Sequence, residues 1–421
     1  MQYAFILGRV YTLSFAELIR VLQRNSIEFS IVAASIEAVI IQTEAQIDFE
    51  KIQRELGGIV KIVKIVEVVK KRERDSINFA LQNYFKPSVL KKDYFKDYSG
   101  KKQFGISVYL LDLSIKALGE PKRLGMFIKK GLQTSGVSLR AVLPEYNSLA
   151  LASVAVTKNL LLQKGAEIVA IAGADRVYVG KTLVVQDFED YGRRDYQRPV
   201  RDEKQGMIPP KVAQVMINFA SAPKGQIILD PFCGIGTILQ EGILLGYKTY
   251  GSDINEKAIL NSERNLEWFR NRYKVAPGKY RLETTDVTKI SEVFKGEKIA
   301  AIVTEGSLGP IYTELPKPHE IKQNFEDLKE LWTKAFEQFN SLILAGSKVV
   351  IALPAYKKSP ADYERMPSVD FITNLGYTIE DHFPATVKKI APFLKITERY
   401  SMIYDRKDQV VAREILTLIK V

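Results

Sequence analysis

From about residue 210 onward, strand-length apolar runs alternate with helical patterns, and four of these runs lead to an acid: "IILD" to Asp230, "KTYGSD" to Asp253, "RLETTD" to Asp286 and "IAAIVTE" to Glu305. Such alternation predicts a mostly parallel, doubly wound α/β sheet, because parallel neighbours need a long crossover that a helix usually supplies. In open sheets of this kind, ligands gather outside the carboxyl ends of the strands. Four acids at strand ends therefore mark one rim as the candidate site. A further run, "KVVIALPA", continues the pattern. "ERYSMIYDR" and "AREILTLIKV" follow with no helix between them, which predicts an antiparallel edge pair.

The first of these strands runs into "PFCGIGTILQEG", a glycine turn opening a helix. Gly234 and Gly236 let the backbone turn tightly and approach a ligand with no side chain in the way. Asp253, at the end of the next strand, is placed to accept hydrogen bonds from ribose hydroxyls, and Asp286 one from an adenine amino group. A dinucleotide site would share much of this, but its signature calls for a third glycine where Leu239 stands, and a pyrophosphate is repelled by Asp230. S-adenosylmethionine, a cation with an ammonium group, suits the acid better.

The other residue types narrow the chemistry. Cys233 is the one cysteine, and His319 and His382 are the two histidines, so neither a cysteine zinc site nor a histidine-rich metal centre is expected. His319 reads as loop surface and His382 as strand. No apolar run approaches the roughly 20 residues that span a bilayer. The opening "MQYAFILGRVYTLSFAELIR" lacks a basic leader with a long apolar stretch, so the cytoplasm is the expected compartment. The formal charge of +12 favours a polyanionic partner, nucleic acid before an anionic membrane, although lysines that merely solvate a surface give the same balance.

Upstream, residues 1–70 read as a small α+β module. Its strands are "QYAFILG", "FSIVAAS", "AVIIQT" and "IVKIVKIVEVV", with a helix opened by Ser14 and another closed by Gly57 and Gly58. A basic module spans 71–186, with strands "QFGISVYLL", "VSLRAVLP" and two in "EIVAIAGADRVYVGKTLVVQ". "PKRLGMFIKKGLQTSG" is its first helix and "SLALASVAVTKNLLLQKG" a longer one. Lysines near 84–102 interleave with Tyr84, Phe85, Tyr94, Phe95 and Tyr98, a mixture that suits RNA or equally a core of rings beneath solvated lysines. Residues 187–211, polar and punctuated by Pro and Gly, read as a linker into a last domain over 212–421.

"DPFCGIGTILQEG", "YGSDIN", "TTDVT" and the preceding "RPVRDEKQGMIPPKVAQVMINFA" resemble the class I methyltransferase domain of the THUMP-containing tRNA guanine-N2 methyltransferases, which modify guanosine at position 10 of tRNA. "KKGLQTSGVSLRAV" and "NSLALASVAVTKNLL" are similar to the THUMP RNA-binding module, and residues 1–70 to the ferredoxin-like part before it. The resemblance covers nearly the whole chain. It implies S-adenosylmethionine as cofactor, a Rossmann-like domain to bind it, and tRNA or another structured RNA as partner. It also implies roles: Asp230, Gly234 and Gly236 at the methionine end, with Pro231, Phe232, Cys233 and Thr237 completing the loop. Met207 and Pro209 would pack on the methionine moiety, Asp253 and Ile254 would border the ribose, and Asp286 and Val287 the adenine.

In that family the fourth strand ends in Asp-Pro-Pro-Tyr-Gly, where the acid and a backbone carbonyl orient an exocyclic amine and the aromatic ring stacks on the base. "TEGSLG" stands there in this chain, so Glu305 replaces the acid, Gly306 and Ser307 the prolines, and Leu308 the ring. Glu is one methylene longer, glycine is looser than proline, and leucine offers no π face. Two outcomes stay open. Either Glu305 serves as acceptor in a divergent enzyme, or the chain is an RNA-binding protein that keeps the cofactor pocket without the chemistry. A DNA amino-methyltransferase is a further rival, disfavoured by the THUMP-like segment.

Overall fold

The computed structural model describes residues 1–95, 102–137, 139–201, 207–359, 361–406 and 409–421. The chain divides into two units, one of Met1–Leu18, Leu22–Phe188 and Ala385–Leu394, the other of Ile19–Val21, Glu189–Pro384 and Lys395–Val421.

The first unit is built on a sheet comprising β1 (Gln2–Leu7), β2 (Ser30–Ala34), β3 (Ala38–Gln42), β4 (Ile59–Lys70), β5 (Lys102–Leu110), β6 (Leu139–Val142), β7 (Gly165–Ala172) and β8 (Arg176–Val185), in the order β2-β3-β1-β4-β8-β7-β5-β6. The twelve-residue strand β4 pairs antiparallel with β1 on one side and β8 on the other, so residues 1–70 and 71–186 share one continuous sheet. Lys61 of β4 and Glu167 of β7 meet within it at 2.5 Å, at 1% and 0% exposure. Burying both charges is tolerable because further polar groups bond to each of them. The Ser107 and Thr182 hydroxyls donate to Glu167 at 2.5 and 2.6 Å, and Lys61 donates to the Leu151 carbonyl at 2.7 Å.

Local details depart from the sequence expectations for identifiable reasons. The first helix spans Tyr11–Arg24, so Ser14 lies inside it and donates back to the Val10 carbonyl instead of capping. The helix Phe49–Glu55 closes on Leu56. Gly57 and Gly58 instead point their N–H groups at the buried Glu17 carboxylate, 2.9 and 2.8 Å away, and a Cβ on Gly58 would strike Ser14. The long helix expected in "SLALASVAVTKNLLLQKG" shrinks to Ser153–Lys158. Leu160 turns left-handed (φ 51°) and the Leu161 N–H closes on the Val156 carbonyl at 3.0 Å, a Schellman-type stop built without glycine. Of the aromatic series, Phe85, Tyr94 and Phe95 are buried core residues packed with Leu90 and Phe104, and the Tyr84 and Tyr94 hydroxyls lie 3.0 Å apart. Those rings are therefore occupied by packing, while Lys86, Lys91 and Lys92 face solvent. Tyr98 lies outside the described residues.

The second unit holds β9 (Ile227–Asp230), β10 (Lys248–Asp253), β11 (Tyr280–Thr284), β12 (Ile299–Glu305), β13 (Ile343–Ser359), β14 (Asp362–Arg365), β15 (Tyr377–Ile379), β16 (Met402–Tyr404) and β17 (Val411–Lys420). The sheet order is β11-β10-β9-β12-β13-β17-β15, with β14 on β13 and β16 on β17. The first five strands in that order are parallel, as the alternation predicts. β16 and β17 do pair antiparallel, but β17 is no edge: it runs between β13 and β15. Its apolar side chains are buried accordingly, Ala412, Ile415, Leu416 and Leu418 at 1% exposure or less.

One face of the sheet is covered by the helix Pro318–Leu342, whose Ile321, Phe325, Leu328, Trp332, Phe336 and Phe339 recur at helical spacing and are buried. His319 sits exposed in its first turn, where a loop was expected. His382, expected in a strand, lies in irregular chain ahead of the helix Ala385–Ile390. It is buried against Phe219, with Nε2 2.8 Å from the Thr417 hydroxyl. The stretch 187–211 is likewise more than a linker. Phe188–Tyr196 is a helix whose Arg194 is buried and donates from Nε to Glu241 Oε1 at 2.6 Å. Part of that stretch, 202–206, lies outside the described residues.

Candidate functional site

The order β11-β10-β9-β12-β13 reverses direction of winding between β9 and β12, which opens a crevice at their carboxyl ends. Asp230 closes β9 and Glu305 closes β12, so the two acids flank that crevice. Asp230 is 2% exposed and is held by the Thr304 hydroxyl at 2.6 Å and the Phe232 N–H at 3.2 Å. Burial, reinforced by the negative charges of Asp253 and Glu305, pushes its carboxyl up to about 7 against the restraining effect of those two hydrogen bonds.

The glycine turn follows. Gly234 (φ 50°) and Gly236 (φ 86°) both take the left-handed conformation, and a Cβ at Gly236 would meet the Ser262 hydroxyl at 2.5 Å. A Cβ at Gly234 would meet nothing within 4 Å, so this residue offers its backbone to open space. Its N–H donates to Asp253 Oδ2 at 3.1 Å, and Asn255 N–H to Oδ1 at 2.9 Å, which ties the turn to the end of β10. Gly236 then starts the helix Thr237–Leu244. Cys233 packs inward, its sulfur close to where a Gly251 Cβ would lie, and burial raises its thiol well above the ordinary range. Pro231 is buried and Phe232 half-buried, its ring 5.3 Å from that of Trp332.

Towards the other side of the rim, Ile254 is 71% exposed beside Asp253. β11 stops at Thr284, so Asp286 does not end the strand but caps the short turn Val287–Lys289, accepting from the Thr288 N–H at 2.9 Å. That backbone hydrogen bond holds its carboxyl below the usual range. Val287, expected to border adenine, is 4% exposed and belongs to the hydrophobic core.

Met207, Ile208 and Pro209 return the chain to the crevice ahead of the helix Pro210–Ala220. The Ile208 N–H donates to the Glu305 carboxylate, so this segment meets the loop after β12. Glu305, with 14% of its side chain exposed, also accepts from Nε of Arg413 on β17. Burial raises its carboxyl, opposed by Arg413, Ile208 and Arg406. Gly306 is buried because the Trp332 ring occupies the place of its side chain, and at Gly309 (φ 93°) the Asn324 amide does the same. Asn324 also donates to the Leu308 carbonyl at 3.2 Å. Ser307 is exposed, with its hydroxyl accepting from the Gly309 N–H at 3.2 Å, and Leu308 is half-buried.

Asp230, Asp253, Glu305, the glycine turn and residues 207–209 thus converge, whereas Val287 and Cys233 serve packing. Sequence reasoning missed several members. Arg198, 3% exposed, donates to the Thr237 hydroxyl at 2.7 Å and approaches the Met207 sulfur at 3.1 Å. Asn265 clamps both ends of the approach, donating to the Val200 and Ile235 carbonyls at 3.1 and 3.0 Å and accepting from Val200 N–H at 2.9 Å. Arg413 had a legible signal: "ARE" places adjacent opposite charges inside a mostly apolar strand. Asn324 and Trp332 had none, being spaced as ordinary members of an amphipathic helix.

Residues 174–264 match the DNA methylase family. The chain is 34% identical over 219 residues to the tRNA (guanine(10)-N2)-dimethyltransferase of Pyrococcus abyssi, covering 49% of this chain and 56% of that enzyme. It is 30% identical over 278 residues to the enzyme of the same name from Methanocaldococcus jannaschii, covering 64% of this chain and 68% of that one. Among solved structures, TrmN from Thermus thermophilus aligns over all of both chains with a TM-score of 0.58 at 14% identity. SMU.472 complexed with SAH aligns at 0.51 and 10%, over 100% of this chain and 97% of that one. The fold is that of a class I methyltransferase. The chain belongs to the tRNA (guanine(10)-N2)-dimethyltransferase family, and its match spans just over half the length of the Pyrococcus relative.

Proposed function

We propose that this chain transfers a methyl group from S-adenosylmethionine to the exocyclic N2 of a guanine in tRNA, in the cytoplasm. The observation that carries this reading is the meeting of Asp230, Asp253 and Glu305 around the glycine turn, with the buried Asp230 carboxyl pushed up to about 7. A carboxyl in that state gains most from a neighbouring cation, and the methionine ammonium is one. Gly234 brings its backbone close to the methionine end. Asp253 accepts from the ribose hydroxyls beside Ile254, Asp286 accepts from the adenine amine, and Met207 and Pro209 pack along the methionine chain. When bound, the cofactor supplies an electrophilic methyl on a sulfonium.

Glu305 accepts a hydrogen bond from the guanine amine, turns the N2 lone pair towards the methyl and offsets the positive charge that N2 acquires as the N–C bond forms and the S–C bond breaks, leaving S-adenosylhomocysteine; the surplus N2 proton then passes to solvent. This is catalysis by positioning and electrostatics. Gly306, Ser307 and Leu308 border the base, with Leu308 packing where the family places a ring. A guanine within a stem must leave its stack to reach the crevice. The formal charge of +12 supports a polyanionic partner, and we assign the THUMP-like stretch 71–186 to holding RNA by shape and phosphate contacts. The test is transfer from labelled S-adenosylmethionine to unmodified tRNA, followed by identification of the labelled nucleoside. Labelled N2-methylguanosine supports the reading. Binding of both ligands with no transfer favours an RNA-binding protein that retains the pocket.

A further inference from the structure

We infer that Arg413 is a positioning residue for methyl transfer, fixing the Glu305 carboxylate in place at the head of a loop that opens on Gly306; this rests on the function proposed above. The geometry carries it. Arg413 stands on β17, opposite Pro354 of β13 and Tyr404 of β16, so its backbone is held by strand pairing on both sides. Its side chain is 2% exposed, and it donates from Nε to Glu305 Oε1 and from one terminal nitrogen to Gln409 Oε1 at 2.6 Å. A guanidinium is a rigid planar fork, so anchoring it at two points fixes the direction from which it meets the carboxylate.

Glu305 needs such a guide. Its extra methylene adds a torsion that Asp does not have, and Gly306 beside it restrains the backbone less than proline. The structure shows restraint arriving from other elements: Trp332 beneath Gly306, Asn324 beneath Gly309, the Ile208 N–H on the carboxylate, and Arg413 on Oε1. Among these, Arg413 is the one that brings full charge. Among the described residues, the charged groups that act on Glu305 include the cations Arg413 and Arg406 and the anion Asp230 of β9. Removing Arg413 takes away the cation hydrogen-bonded to Glu305, so Glu305 takes up a proton at higher pH and loses its power to accept from the amine.

The experiment is the pH dependence of labelled methyl transfer to tRNA by full-length wild type, Arg413→Met, Arg413→Lys and Glu305→Gln, with S-adenosylmethionine affinity measured on each as a check on the fold. The expected result for Arg413→Met is kcat lower by about 10²-fold, with KM for tRNA little changed and the acid limb of the profile moved up by about 1–3 pH units. Arg413→Lys retains the charge without the fork, so it keeps the wild-type limb at an intermediate rate. In the Glu305→Gln background, Arg413→Met should add little further loss. A wild-type profile in Arg413→Met overturns the inference, whether or not stability falls. Wild type that transfers nothing overturns the proposed function, and this inference with it.

Discussion

The Thr304 hydroxyl donates to Asp230 Oδ1 at 2.6 Å, joining the ends of two parallel strands at the point where the sheet changes its direction of winding. One short bond thus orients the most strongly perturbed acid of the rim. Thr304→Val should keep the fold, since the shape is preserved, and weaken S-adenosylmethionine binding by about tenfold, the loss of roughly one hydrogen bond. Calorimetric titration reads it directly; unchanged affinity would mean that Asp230 needs no orientation from β12.

Cofactor affinity should depend on pH through Asp230. Its carboxyl is protonated in about half the molecules near 7 and must ionise to face an ammonium group. Below that pH, Kd should rise by about tenfold per unit, and binding should release a proton. Titrations in buffers of different ionisation enthalpy between about pH 5.5 and 8 measure both quantities.

Asp230→Asn should separate function from stability. The folded protein binds the Asp230 proton more tightly than the unfolded chain does, so it takes up a proton between about pH 4 and 7, and stability falls as pH rises through that window. At pH 8 the amide carries no such penalty. The variant should melt higher, by about 2–4 °C for each kcal/mol recovered, while losing cofactor binding. A lower melting temperature at pH 8 would contradict this.

Restoring a side chain to the loop should harm it. Gly306→Ala drives a Cβ into the Trp332 ring, which is 0% exposed and backed by Phe336. Overpacking of that kind costs about 1–3 kcal/mol. Trimming the ring in Gly306→Ala/Trp332→Leu should recover part of the loss, and denaturant unfolding of the two variants decides it.

In the first unit, Lys61→Met should be among the most damaging single changes. It strands the Glu167 charge at 0% exposure with two hydroxyls and no cation from β4, a loss of about 3–5 kcal/mol. Lys61→Met combined with Glu167→Gln should be milder than the single variant, as chemical denaturation will show.

Much of the rim was legible because its residues are local. Strand, acid and glycine turn sit side by side in the chain, and the residue types encode what each must do: left-handed backbone at Gly236, an acceptor at Asp253. What escaped was contributed from afar. Arg413 reaches Glu305 across 108 positions and Asn265 reaches Val200 across 65, and no spacing rule announces either. The aromatic series near Tyr94 shows the converse, since lysines beside rings in sequence need not share a surface with them. Local pattern gives an element's type. Which partner fills its side-chain volume is a tertiary matter, as the fit of Trp332 against Gly306 shows.

Because β4 is hydrogen-bonded to β1 along one side and to β8 along the other, the first 188 residues have no seam at residue 70. A fragment cut there would leave β4, a twelve-residue strand rich in Ile and Val, unpaired along one edge and invite self-association. Residue 70 is thus no place to divide the chain, and the amides of β4 should exchange with solvent only when the whole sheet opens.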